Sequence, residues 1–287
     1  MSALLVLAAT SVSSVNAQIL GYDVNFNSGA STYTDNFRKN VDGAPVGFTW
    51  GATAGTGGTG GLTVTNVSAA QNLYYRPTPA SNTTSTFDFS NFAVGTKITS
   101  TTDFLWSSTS STATTLLTAG FVPSNANDNA LTSANALAGG IIRNGTSDVT
   151  LRMRNGTSNA SSLDFSQTTL TAGAWYQLSY ELTKSATANT FDYVVSLYYI
   201  GLTGTSAPVL FNDGTKNITI SGTVTNSLIY NDADAFFAYD IRSGGTNVGI
   251  TNVDNFHVAA VPEPTTAVLL GLGVLGFAAA RRFRRQS

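Results

Sequence analysis

Apolar and polar residues alternate along much of this chain in short runs. Val149, Leu151 and Met153 are separated by Thr150 and Arg152. Tyr176, Leu178, Tyr180 and Leu182 are separated by Gln177, Ser179 and Glu181, and Phe191, Tyr193, Val195, Leu197 and Tyr199 follow the same spacing. A period of two places each apolar set on one face of a strand. Arg143-Asn144-Gly145-Thr146-Ser147 recurs as Arg154-Asn155-Gly156-Thr157-Ser158, and Asn-Gly is the strongest tight-hairpin signal because both residues tolerate positive φ. A three-stranded meander is therefore expected over Gly139 to Phe165, and a long antiparallel hairpin over Trp175 to Leu182 and Phe191 to Ile200. Further short strands are expected around Val24 and Phe26, at Phe87 with Phe89, and over Ile98 to Trp106, Leu116 to Phe121, Phe236 to Arg242 and Val253 to Val258. Gly51 to Gly61 is nearly all Gly, Thr and Ala, which reads as a long flexible surface loop. It is no phosphate cradle, since no Lys-Ser/Thr pair follows. Strands punctuated by Ser, Thr, Asn and Gly, without intervening helices, point to a sandwich or barrel.

Composition narrows the chemistry. Charged residues make up 10% of the 287 positions against 42% hydrophobic, and there is no cysteine. That removes a disulfide framework, a thiolate zinc site and a cysteine nucleophile. Four of the 14 basic residues lie in the last seven positions, leaving a weakly acidic body. Such a body lacks the basic stripe that phosphate backbones require, so nucleic acid is not expected as a partner.

The two ends read as addresses. Leu4 to Ala9 with Val12 and Val15 is a short apolar run before Val15-Asn16-Ala17, as in a signal peptide over residues 1–17 cut after Ala17, although no basic residue precedes it. At the other end, Val261-Pro262-Glu263-Pro264 is followed by an uncharged stretch from Thr265 to Ala280 and then by Arg281, Arg282, Arg284 and Arg285. The stretch is just short of the roughly 17 to 25 residues that span a bilayer. The arginines would keep its far end cytoplasmic. The order of these features resembles the PEP-CTERM sorting signal of Gram-negative bacteria. The resemblance covers residues 261–287 and implies a transmembrane helix at 265–280 in the inner membrane. It also implies recognition by an exosortase, processing near the signature, and delivery to the cell surface or an extracellular polysaccharide matrix.

Between the ends, residues 18–260 leave room for one large β-sandwich domain. The strand beginning Gly173-Ala174-Trp175-Tyr176-Gln177-Leu178, the Tyr- and Val-rich strand after it, and the closing Asp254-Asn255-Phe256-His257-Val258 strand resemble the laminin-G and concanavalin-like jelly-roll lectins and glucanases. That resemblance implies an all-β, two-sheet antiparallel jelly-roll sandwich. Retaining glycosidases on such folds set two carboxylates about 5 Å apart, on a Glu-x-Asp-x-x-Glu strand. The two glutamates here are Glu181 and Glu263, the second in the tail, so no catalytic residue is assigned.

His257 sits on a strand with Phe256 and Val258 inward, and one histidine without a serine motif makes no Ser-His-Asp triad. Asn231, Asp232 and Asp234 place oxygen ligands at a spacing calcium accepts, though solvated loop acids are commoner and no other cofactor is implied. Trp50, Tyr74, Tyr75, Trp106 and Trp175 could stack on sugar rings if exposed, or else belong to the core. Scarcity of Glu and His, the usual proton-transfer groups, favours a non-enzymatic surface β-sandwich with weak carbohydrate affinity and extracellular polysaccharide as its candidate partner. A secreted polysaccharide-active glycoside hydrolase or lyase, and a self-assembling structural adhesin, stand as alternatives.

Overall fold

The computed structural model describes residues 21–27, 29, 37–39, 48–64, 67–75, 87–107, 114–123, 131, 135–144, 147–243 and 249–261. The expected signal peptide and the tail beyond Val261 lie outside these residues. Among the described residues no helix is long and apolar enough to cross a membrane.

Strands form where the alternation runs. In chain order they are β1 (Gly21–Val24), β2 (Phe37–Lys39), β3 (Phe48–Gly51), β4 (Gly61–Val64), β5 (Val67–Tyr75), β6 (Lys97–Trp106), β7 (Thr114–Val122) and β8 (Leu137–Asn144). They continue as β9 (Asp148–Asn155), β10 (Ser158–Ser166), β11 (Trp175–Lys184), β12 (Thr190–Gly201), β13 (Val209–Leu210), β14 (Thr219–Thr225), β15 (Phe236–Ser243) and β16 (Ile250–Val261). A single helical turn, α1 (Ser227–Tyr230), follows β14 and is capped by Asn226, whose side chain accepts the Ile229 N–H. The first sheet runs β13-β12-β11-β6-β16-β4-β3, with β1 also on β16 and β14 also on β12. The second runs β10-β9-β8-β7-β15-β5-β2. The pairs are antiparallel, and the two inner faces form one core.

The expected meander is β8-β9-β10, with Gly156 at φ 62° in its second turn. The long hairpin is β11-β12, in which Leu178 faces Leu197 and Leu182 faces Tyr193. Phe87 and Phe89 depart from expectation. Phe87 makes only an isolated bridge to Ala235, and Phe89 lies in a turn-rich stretch rather than a strand. Both are fully buried and pack edge-on against Phe121 of β7, with ring centroids at 5.2 and 4.8 Å. Phe237 of β15 meets the same ring at 4.8 Å. These edge-to-face contacts suit the ring quadrupoles. The loop phenylalanines therefore plug one end of the sandwich, a role that periodicity does not encode.

The two sheets pack tightly against each other at Gly139 of β8. A Cβ there would lie 2.7 Å from the Tyr180 ring and 2.8 Å from a Val195 methyl. Tyr180 itself is buried, and its hydroxyl has no hydrogen-bond partner among the described residues. Gly139→Val should cost about 1–3 kcal/mol through overpacking. Tyr180→Phe should add on the order of 1 kcal/mol by removing an unsatisfied hydroxyl. Urea unfolding of both variants checks the pair, and a destabilised Tyr180→Phe would show that the phenol is not orphaned.

Candidate functional site

Strand register defines two ends of the sandwich. At one end Val261 faces Lys97, Lys97 faces Thr183, Lys184 faces Phe191 and Thr190 faces Thr225. At the other, Ile250 faces Trp106 and Trp175 faces Gly201. Two features occupy this second half of the molecule: a buried acid pair and an aromatic cleft.

The acid pair lies on the outer face of the first sheet. Asp103 of β6 and Asp254 of β16 are cross-strand partners, and both are buried. A bulge follows Asp254, where Asn255 adopts φ 50°. Bulges re-aim side chains, and here the Asn255 amide donates to Asp103 Oδ2 and to Thr56 Oγ1, each at 2.8 Å. Gln177 Nε2 donates to Asp103 Oδ1 at 2.8 Å. Thr56 closes the cluster, its N–H and hydroxyl donating to Asp254 Oδ2 at 3.0 and 2.9 Å.

Thr56 belongs to the glycine-rich segment expected to be a flexible loop. That expectation is corrected: the segment joins β3 to β4 and folds down over the carboxylates. Gly55 is required by close approach, since a Cβ would sit 2.4 Å from Asp254 Oδ2. Gly57, at φ 66°, donates its N–H to the Thr203 carbonyl at 3.1 Å. Asn252 anchors the same segment through the Ala54 carbonyl at 2.8 Å. Low hydrophobicity denies the loop a core of its own, but buried charge supplies its partners instead.

Burial pushes the Asp254 carboxyl up to about 6; hydrogen bonds from the Asn255 backbone N–H and from Thr56 pull against this, and the Asp103 charge adds to it. Burial also raises Asp103, against hydrogen bonds from Asn255, Gln177 and Thr56. A raised carboxyl beside a second one is the pattern of an acid–base pair. Here both are buried beneath the loop, and Asp254 Oδ1 has no hydrogen-bond partner among the described residues.

The cleft lies beside β13, where β11 and β12 carry Tyr176 and Tyr199 as cross-strand partners. It encloses about 320 Å³ and is walled by Tyr176, Tyr199, Phe211 and Val209, with Thr171 and Asn212 at its polar edge. Tyr176 stands edge-on to Tyr199 at 5.4 Å and to Phe211 at 5.5 Å. Its hydroxyl accepts the Thr171 N–H at 2.8 Å, which fixes the ring. Tyr199 is half-buried, and its hydroxyl has no hydrogen-bond partner among the described residues. The size and the mix of apolar walls with a few polar groups are those of small-ligand sites. The sequence placed Tyr176 and Tyr199 on the apolar faces of their strands. The cleft between them and β13 was not expected, because β13 is only two residues long.

The residues singled out beforehand fare differently. Trp106 is 1% and Trp175 5% exposed, so neither offers an indole face to a sugar; both are packing residues. Trp50 is half-buried against the core and spends its N–H on the Phe26 carbonyl at 2.9 Å. Tyr74 and Tyr75 lie on β5, in register with Ala238 and Phe37. Asn231 donates to Asn189 Oδ1 and to the Ser227 carbonyl. Asp232 Oδ1 accepts the Asp234 N–H in a tight turn. Among the described residues no three His, Cys, Asp or Glu side chains are grouped to hold a metal. Glu181 pairs with Lys97 at 3.0 Å. His257 faces Asp23 and Thr101 across its neighbouring strands, with Phe256 and Val258 buried inward.

The fold and the chain's end define a lectin-like, concanavalin-type β-sandwich that carries a sorting tail. Residues 260–285 match the PEP-CTERM protein-sorting motif. The motif implies an exosortase substrate, exported and membrane-anchored before surface sorting. The sandwich is similar to peanut lectin bound to a nonamer peptide, at TM-score 0.51 and 8% identity over 87% of this chain and 100% of that one. Weaker likenesses include arcelin-5, a lectin-like defence protein from Phaseolus vulgaris, at TM-score 0.49 and 13% identity over 86% of this chain and 100% of that one. A family 7 alginate lyase in complex with substrate scores 0.44 at 8% identity over 84% and 98%. No curated protein sequence matches the chain. At these identities the likeness is one of fold.

The acid pair makes a pH prediction. An unfolded aspartate titrates near 3.9, so the folded chain holds the Asp254 proton more tightly than the unfolded chain does. Stability should therefore rise as pH falls below about 7, chiefly between about 6 and 4, by roughly 3 kcal/mol in full and about 1 kcal/mol between pH 7.5 and 5, and level off below about 4. Urea midpoints at pH 7.5 and 5 measure the rise, and Asp254→Asn should flatten it. An unchanged rise in that variant would place its source elsewhere.

Proposed function

We propose that this is an exosortase-sorted cell-surface or matrix protein whose sandwich binds carbohydrate without cleaving it. The observation that supports the binding is the cleft beside β13, where half-buried Tyr199 and exposed Val209 offer an apolar surface for a sugar ring over a floor of buried Tyr176 and Phe211, and where the Tyr199 hydroxyl has no hydrogen-bond partner among the described residues. It lies at the end of the sandwich away from Val261, and so away from the membrane before processing. Asp103 and Asp254 serve the loop above them rather than a substrate, which favours binding over hydrolysis or elimination. Tyr74 and Tyr75 on β5 are the second place where a sugar could stack.

Retention of the protein on immobilised bacterial and algal polysaccharides, scored together with released reducing ends, tests this reading. Tyr199→Ala should weaken retention roughly fivefold or more, the loss of about 1 kcal/mol of ring contact. Tyr74→Ala with Tyr75→Ala serves as the comparison pair. Sugar release would sink the non-enzymatic reading. Retention that disappears on calcium removal would bring Asn231, Asp232 and Asp234 back as ligands. No retention on any polysaccharide would leave self-assembly of an adhesin as the better account.

A further inference from the structure

The sorting motif begins inside the folded domain. Its first residue, Ala260, is 1% exposed and faces Ile98 across the sheet, and the next, Val261, faces Lys97. No linker separates β16 from Pro262. β1 starts beside the same point, with Gly21 opposite Ala259, so both ends of the sandwich domain emerge together. If the stretch after Pro264 enters a bilayer, this end of the sandwich has almost no slack and must rest on the lipid surface.

The end is built for that position. Six large apolar side chains stand exposed among the described residues, and three of them, Val94, Leu228 and Val261, lie here at 56%, 44% and 56% exposure. Val94 is on the turn before β6, where the Gly95 N–H bonds to the Lys184 carbonyl at 2.8 Å. Leu228 is on α1, which the Asn226 N–H ties to the Asn189 carbonyl at 2.8 Å. The same end is rigid: Lys184 donates to the Phe89 carbonyl and lies 4.4 Å over the Tyr230 ring, whose hydroxyl donates to Ser185. Its charges are of both signs, Lys97 paired with Glu181, and Asp88, Asp232 and Asp234 on the loops. These acids disfavour an anionic surface and suit a zwitterionic one.

We infer that the Val94–Leu228–Val261 end docks on the bilayer, so that the domain sits flush on the membrane with its aromatic cleft facing away. This rests on the tail acting as a membrane anchor, a reading tested separately below. The partner is the interfacial zone of zwitterionic lipid, into which exposed apolar side chains next to an anchor insert.

Absence of native cysteine makes the test clean. Val94→Cys, Leu228→Cys and, at the opposite end, Leu202→Cys are labelled with an environment-sensitive dye in the full chain and reconstituted into phosphatidylcholine vesicles with a brominated lipid. Leu202 is 62% exposed and is the control. The expected result is blue-shifted emission at 94 and 228, quenched several-fold more than at 202. Vesicles that carry the chain on flotation while all three labels stay in water overturn the docking but not the anchor. A chain that does not float overturns both.

Discussion

Everything in the first sheet is organised around the last strand. β16 pairs along one edge with β6 over nearly its whole length, and along the other with β4 and then β1. Its inner face contributes Val253, Phe256 and Val258 to the core. Its outer face contributes Asp254 and Asn255 to the network that holds the glycine-rich loop. A central strand with a bulge at its middle thus sets the register of its neighbours and the position of a loop nearly two hundred residues earlier in the chain. The same strand then runs directly into the sorting motif, so sheet geometry decides how the domain meets whatever holds the tail.

The two halves of the sandwich solve opposite problems. Toward the tail, the gap between the sheets is plugged by Phe87, Phe89 and the Phe121 ring, and the loops are cross-tied by Lys184, Asn226 and Tyr230. Away from it, beside β13, half-buried Tyr199 borders a cleft whose floor is the buried Tyr176 and Phe211. Adjacent residues on β11 show the division sharply. Tyr176 points inward to the cleft, while Trp175 points outward and is covered near Gly204, where an added Cβ would meet its ring at 3.0 Å.

Much of the fold was legible because period-two alternation and Asn-Gly turns are local signals. The β8-β9-β10 meander and the β11-β12 hairpin follow from residues within a few positions of each other, and the sorting motif from three features in a fixed order. The glycine-rich loop was misread because its order comes from Asp254 and Thr203, which composition within the loop cannot announce. Trp106 and Trp175 were candidates for a sugar site only so long as exposure was unknown; burial removes them. The cleft was hidden for a related reason: Tyr199 shares the alternating apolar face of its strand with core residues, and β13 beside it is two residues long, too short to show any alternation. The Asp103–Asp254 pairing needs the exact register of β6 on β16, including the bulge, and no pattern in either strand reveals it.

The central place of β16 also bears on how the two sheets can be assembled. The members of the second sheet all precede it in the chain, whereas β6 lacks a partner along one edge and β1 has no strand to pair with until β16 is in place. The first sheet is therefore closed by its last strand, and the sorting motif begins at the end of the strand that completes the fold.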